Sequence, residues 1–177
     1  MPSYTADKIV MDQATRSHGD LVELMSPHGV HSALQVPADL QVVGFVRCAL
    51  ACVLEREGWP TDGAGRVLLA STEALTNAIE HGSPLDGHVD VALTVSPERA
   101  HLRVVDEGLP GVPVPVCPSD PPPATSERGR GLLIISRLAD DFDLRPSGHG
   151  TQLSVGFWRN AAVDGDSLAG LAAARAA

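Results

Sequence analysis

Glu73 and Asn77 stand four residues apart in a stretch, residues 67–82, that reads as one helix ended by Gly82 and Pro84. Residues at that spacing share a helix face, one turn from each other. Ala74, Leu75, Ala78 and Ile79 flank them, so the pair lies at the edge of an apolar stripe. A carboxylate and an amide in that setting could hold a metal-bound polyphosphate. The same spacing also fits a solvated stripe on an ordinary amphipathic helix. A second feature is Glu127-Arg-Gly-Arg-Gly131, which runs straight into the apolar segment 132–139. Backbone N–H groups at such a glycine-rich helix start form a ready anion site, although a glycine pair alone also serves a plain turn.

The elements that position these residues follow from periodicity. Residues 31–37 alternate as a short strand. Asp39 caps a helix over about 39–57, with Leu40, Val43, Phe45, Val46, Leu50 and Val53 facing inward. Thr61–Gly65 reads as a linker. Residues 88–95 and 100–106 alternate apolar and polar and form a hairpin around 96–99. Residues 141–145 and 151–157 form a last strand pair. Upstream, residues 20–25 suggest a short helical turn. The proline-rich stretch 107–128 has the length of a lid or binding loop rather than a simple connection.

Composition narrows the chemistry. Hydrophobic residues make up 44% of the 177 residues, but aromatics only 3%, so the core must be built from Leu, Val and Ala. That removes the aromatic platforms of single-strand nucleic-acid binders. A net charge of −9 argues against nucleic acid or an anionic membrane as a direct partner. No apolar run approaches a membrane span, and the N-terminal residues lack a secretory signal, so a cytoplasmic location is expected. Three cysteines, Cys48, Cys52 and Cys117, make no disulfide framework. Cys48 and Cys52 are four apart on the first helix and have metal-ligand spacing. With no second such pair, they are expected to be small buried hydrophobes.

Taken in chain order, Glu73-x-x-x-Asn77, Asp106-x-Gly108, Gly129-x-Gly131 and Gly148-x-Gly150-Thr151 resemble the boxes of the GHKL ATP-binding domain. Residues 73–82 look most like the bacterial anti-sigma-factor serine/threonine kinases within that superfamily. The resemblance covers about residues 32–158. It implies an α/β two-layer sandwich, a mixed β-sheet with helices on one face and ATP between the helices and a lid at about 107–128. It divides the chain into an extension (1–30), the kinase domain (31–158) and a tail (159–177).

The resemblance also assigns roles. Asn77 matches the Mg²⁺ ligand and Glu73 the general base. Asp106 matches the acceptor for the adenine amino group, with Gly108 leaving space for the base and Gly111, one position late, standing in for the box's second glycine. Arg128, Gly129, Arg130, Gly131 and Leu132 match the phosphate-binding helix start, and Gly150 and Thr151 close the far side. His81 has an open role, with packing or capping favoured over catalysis. The implied function is an ATP-dependent anti-sigma-factor kinase in a partner switch, a homodimer that binds a sigma factor or phosphorylates an antagonist protein.

Two departures weigh on turnover more than on binding. Pro110 replaces the second glycine of the Asp-x-Gly-x-Gly box, and Gly111 comes one residue late. Proline fixes φ and removes a donor. The lid also has no basic residue before Arg128. The alternative is therefore a non-catalytic module of the same fold that sequesters its partner with or without nucleotide. The detached catalytic half of a histidine kinase is disfavoured, because no phospho-acceptor helix is expected before the domain.

Overall fold

The computed structural model describes residues 22–26, 29–109, 130–148 and 150–159. The expected site residues Gly111, Arg128 and Gly129 lie outside this set, as do Pro110 and Cys117. The strands are β1 (Val22–Ser26), β2 (Gly29–Pro37), β3 (His88–Val95), β4 (Arg99–Asp106), β5 (Asp141–Ser147) and β6 (Gly150–Trp158). They form one sheet in the order β1-β2-β3-β4-β6-β5. The helices are α1 (Val42–Arg56), α2 (Thr61–Asn77) and α3 (Gly131–Leu138), and α2 runs on into a wider π-type turn, Ala78–Gly82.

The two-layer α/β sandwich holds, but every strand pair among the described residues is antiparallel, where a mixed sheet was expected. The reason is topological. The chain leaves β4, makes α3 and then β5, which runs in the same direction as β4. β6 then inserts between β4 and β5 and pairs antiparallel with both.

The alternation seen in sequence becomes a sheet with one buried face. Val89, Val91, Leu93 and Val95 of β3 and Ala100, Leu102 and Val104 of β4 are buried. They meet Val46, Leu50, Val53 and Leu54 of α1 and Val67, Ala70, Ala74 and Leu75 of α2 in one core cluster. With few aromatics, the largest fully buried side chains besides Phe157 are leucines and Ile135, and Trp59 adds an almost fully buried indole.

Four local expectations need correction. Residues 22–26 form edge strand β1 rather than part of a helical turn, because pairing with β2 satisfies their backbone. This strand lies within the residues assigned to an N-terminal extension. Residues 61–65 are the first turns of α2, not a linker. Gly63 is buried, and a Cβ there would sit 3.3 Å from the Trp59 ring, so glycine lets the helix start against the indole. Asp39 does not cap α1 directly. Its carboxylate accepts the Gln41 N–H at 2.9 Å in a preceding turn, and the helix begins at Val42. Finally, Leu40 and Phe45 are 48% and 56% exposed, and Cys48 and Cys52 are exposed rather than buried. The sheet and α2 cover only one side of α1.

Candidate active site

Asp106 ends β4, and three chain segments close on it. Its Oδ1 accepts the Gly108 N–H at 3.0 Å and the Thr151 N–H at 2.8 Å. Gly108 has φ 77°, the left-handed conformation that favours glycine, and so folds back within reach of the carboxylate. Thr151 is the second residue of β6, and its hydroxyl also interacts with the carboxylate. A Cβ at Gly82 would lie 2.5 Å from Asp106 Cγ. One at Gly150 would lie 2.5 Å from both Asp106 Oδ1 and the Gly108 nitrogen, and would strike the Asp106 carbonyl oxygen. Both glycines are thus required by close approach. Burial raises the Asp106 pKa above its ordinary value, and the bonds from Thr151 and Gly108 oppose that rise. The result is a fixed, half-buried acceptor.

Glu73 and Asn77 leave α2 on one face, and both are half-buried. α3 starts directly opposite. A Cβ at Gly131 would lie 2.6 Å from Asn77 Nδ2 and 3.0 Å from its Oδ1, so only a glycine lets the α3 N-terminus approach the amide this closely. N–H groups at a helix start point toward an anion, and the helix dipole adds to that preference. Arg130 occupies the N-cap position, and Leu132, half-buried in the first turn, packs against the core.

The far end of α3 is fixed as well. Arg66, buried on α2, donates from Nε to the Leu138 carbonyl at 2.9 Å and pairs with Asp140 at 3.1 Å. A guanidinium at a helix C-terminus satisfies a carbonyl that has no partner within the helix. Arg66 therefore ties α3 to the helix that carries Glu73 and Asn77.

The structure thus places Asn77 beside Gly131, and Asp106 beside Gly108, Gly150 and Thr151. His81 lies exposed within the π-type turn, one residue before Gly82, with its Nε2 3.9 Å from Glu80 Oε2. Sequence reasoning missed two contributors. Gly82 was read only as a helix stop, yet it makes room for Asp106. Arg66 is not singled out by the sequence, because one arginine on an amphipathic helix carries no signal of its partner.

The histidine kinase-like ATPase domain family matches residues 36–157. The chain belongs to this family. Among similar family members, serine-protein kinase RsbW from Bacillus subtilis is 32% identical over 117 residues, which is 61% of this chain and 73% of that protein. Serine-protein kinase RsbW from Bacillus cereus is 26% identical over 141 residues, 75% of this chain and 88% of that protein. A crystal structure of the RsbU and RsbW domains of Rv1364c from Mycobacterium tuberculosis matches at a TM-score of 0.53 and 20% identity. That match covers 73% of this chain and 33% of the other chain, and it concerns the fold alone. The expected GHKL anti-sigma-kinase kinship is borne out.

Proposed function

We propose that this histidine kinase-like ATPase is a serine/threonine protein kinase of the anti-sigma type, working in a partner switch in the bacterial cytoplasm. The observation that carries the reading is the pair of glycine-lined approaches. Gly131 lets the α3 N-terminus reach Asn77, while Gly82 and Gly150 enclose Asp106. The first suits a polyphosphate and the second suits a base with an amino group. The similarity to proteins named serine-protein kinases supports a hydroxyl acceptor. Among the described residues no helix is long and apolar enough to cross a membrane.

The residues divide the work. Asp106 accepts a hydrogen bond from the adenine amino group, with Gly108 leaving space, Gly111 contributing to the nucleotide site and Gly150 and Thr151 closing the far side. Arg128, Gly129, Arg130, Gly131 and Leu132 present backbone and guanidinium groups to the phosphates. Glu73 takes the proton of the incoming serine or threonine hydroxyl.

The donor set fits Mg²⁺. Asn77 offers a neutral hard oxygen beside the anion site, in a space that a Cβ at Gly131 would fill. Among the described residues no group of three or more His, Cys, Asp and Glu side chains forms an all-protein metal cage. Mg²⁺ is commonly held by few protein oxygens, together with substrate phosphates and water. When bound, it neutralises charge on the phosphates.

The protein partners in this reading are a sigma factor and an antagonist protein, and the kinase is a homodimer. The unit concerned is residues 31–158, with the lid over 107–128.

The test is single-turnover transfer from γ-labelled ATP to a partner captured from the native cytosol. Phosphate stable to acid and labile to alkali is expected on the partner. ATP binding without transfer to any captured partner would replace it with the non-catalytic module that Pro110 favours.

A further inference from the structure

Cys48 and Cys52 are exposed on α1, one turn apart, on the side turned away from the core. Two exposed thiols on an otherwise regular helix face are not explained by packing. Their separation restricts what they can do. Helix positions four apart hold their Cβ atoms about 5–6 Å from each other. A disulfide needs Cβ atoms about 3.5–4.5 Å apart, so the two cannot bond directly without unwinding α1. That helix is held in place by buried Val46, Leu50, Val53 and Leu54. A bridging ion has a longer span, since two metal–sulfur bonds replace one sulfur–sulfur bond of about 2.05 Å.

We propose that Cys48 and Cys52 form a two-thiolate site for a soft monovalent cation, Cu⁺. Thiolates select soft ions such as Cu⁺ and Zn²⁺. Zn²⁺ in a protein site takes four ligands, and among the described residues no group of three or more His, Cys, Asp and Glu side chains could hold a metal. Cu⁺ is satisfied by two thiolates in a near-linear arrangement. Binding exchanges two thiol protons for one Cu⁺, leaves a bis-thiolate of single negative charge and releases both protons to water. No electron is transferred. The site uses no residue of the nucleotide reading and does not depend on it.

The full chain, fully reduced and free of oxygen, is titrated with Cu⁺ against a chromogenic Cu⁺ chelator. Wild type takes up one equivalent of Cu⁺ and gains a thiolate-to-copper absorption band in the ultraviolet. Cys48→Ser and Cys52→Ser each lose that uptake and band, while Cys117→Ser retains both. Because both positions are exposed, the serine variants keep the α1 helix, checked by circular dichroism. Uptake that survives Cys48→Ser or Cys52→Ser would overturn the proposal. So would uptake abolished by Cys117→Ser, or wild type that leaves all Cu⁺ with the chelator.

Discussion

The two ends of the candidate site are built differently. At Asp106, the π-type turn after α2, the end of β4 and the start of β6 converge. The Cβ that Gly150 lacks would strike backbone as well as carboxylate. At Asn77, two helices face each other, and the Cβ that Gly131 lacks would first meet a side-chain amide. Backbone in a sheet cannot step aside, whereas an amide can change rotamer. In the proposed roles, the Asp106 end is a rigid recognition point for the base. The Asn77 end keeps some freedom, which suits binding a triphosphate and then releasing a diphosphate.

The sharpest way to break this contrast is to add one methyl group at each end. Gly150→Ala forces Asp106 and Gly108 apart. Overpacking of this kind costs about 1–3 kcal/mol of stability, and displacement of Asp106 should take ATP affinity below detection in calorimetry. Gly131→Ala should weaken ATP binding less, because Asn77 can turn away. Equal losses from the two variants would remove the distinction.

A gentler change at the base end is Asp106→Asn. It replaces an acceptor-only carboxylate with an amide and loses a charge-assisted bond of about 1.5–3 kcal/mol, or roughly 10- to 150-fold in affinity. Titration calorimetry checks it. Acidification should mimic the change. The Asp106 pKa is raised, chiefly by burial. Its protonation, and the loss of ATP affinity, should therefore begin at a higher pH than for an ordinary aspartate. Asp106→Asn should abolish that acid limb.

The smallest expected effect lies on the open face of the sheet. Burial, reinforced by Arg99 and Arg103, lowers the pKa of His101 from 6.5. A group whose folded pKa is depressed adds stability above its unfolded pKa and loses it as pH falls. Stability should therefore decline as the pH drops through about 6.5. His101→Gln should flatten that slope in urea unfolding at several pH values, without changing ATP affinity at neutral pH. If ATP affinity moved too, the open face and the site would be coupled.

How much was legible beforehand depended on what each residue type announces. The hairpin expected at 88–95 and 100–106 is found at His88–Val95 and Arg99–Asp106, because a half-buried strand must alternate. The pairing of Asp106 with Gly108, Gly150 and Thr151 was expected only through resemblance to a family, since no local rule links residues 44 and 45 positions apart. β1 was misread because five residues at a sheet edge, paired on one side, carry too short a pattern. The start of α2 was hidden by Gly63 and Gly65, which look like a linker until Trp59 is seen against Gly63. Leu40, Phe45, Cys48 and Cys52 were placed inside on residue type alone, but which side of α1 is covered is decided by α2 and the sheet. The π-type turn at Ala78–Gly82 left no sequence signal. It nevertheless brings Gly82 against Asp106, and such turns are frequent at functional sites.

In the proposed mechanism α2 presents a base, Glu73, and a metal ligand, Asn77, on one face, with separable effects. The most direct measurement is single-turnover transfer to the cognate partner by wild type, Glu73→Gln and Asn77→Ala, with ATP affinity measured in parallel. Glu73→Gln keeps size and hydrogen bonding but cannot take a proton, so transfer should fall by about 10²–10⁴-fold while ATP affinity stays near wild type. Asn77→Ala should lose Mg²⁺-dependent binding as well as transfer. Transfer by Glu73→Gln at the wild-type rate would contradict the assignment of Glu73 as the base.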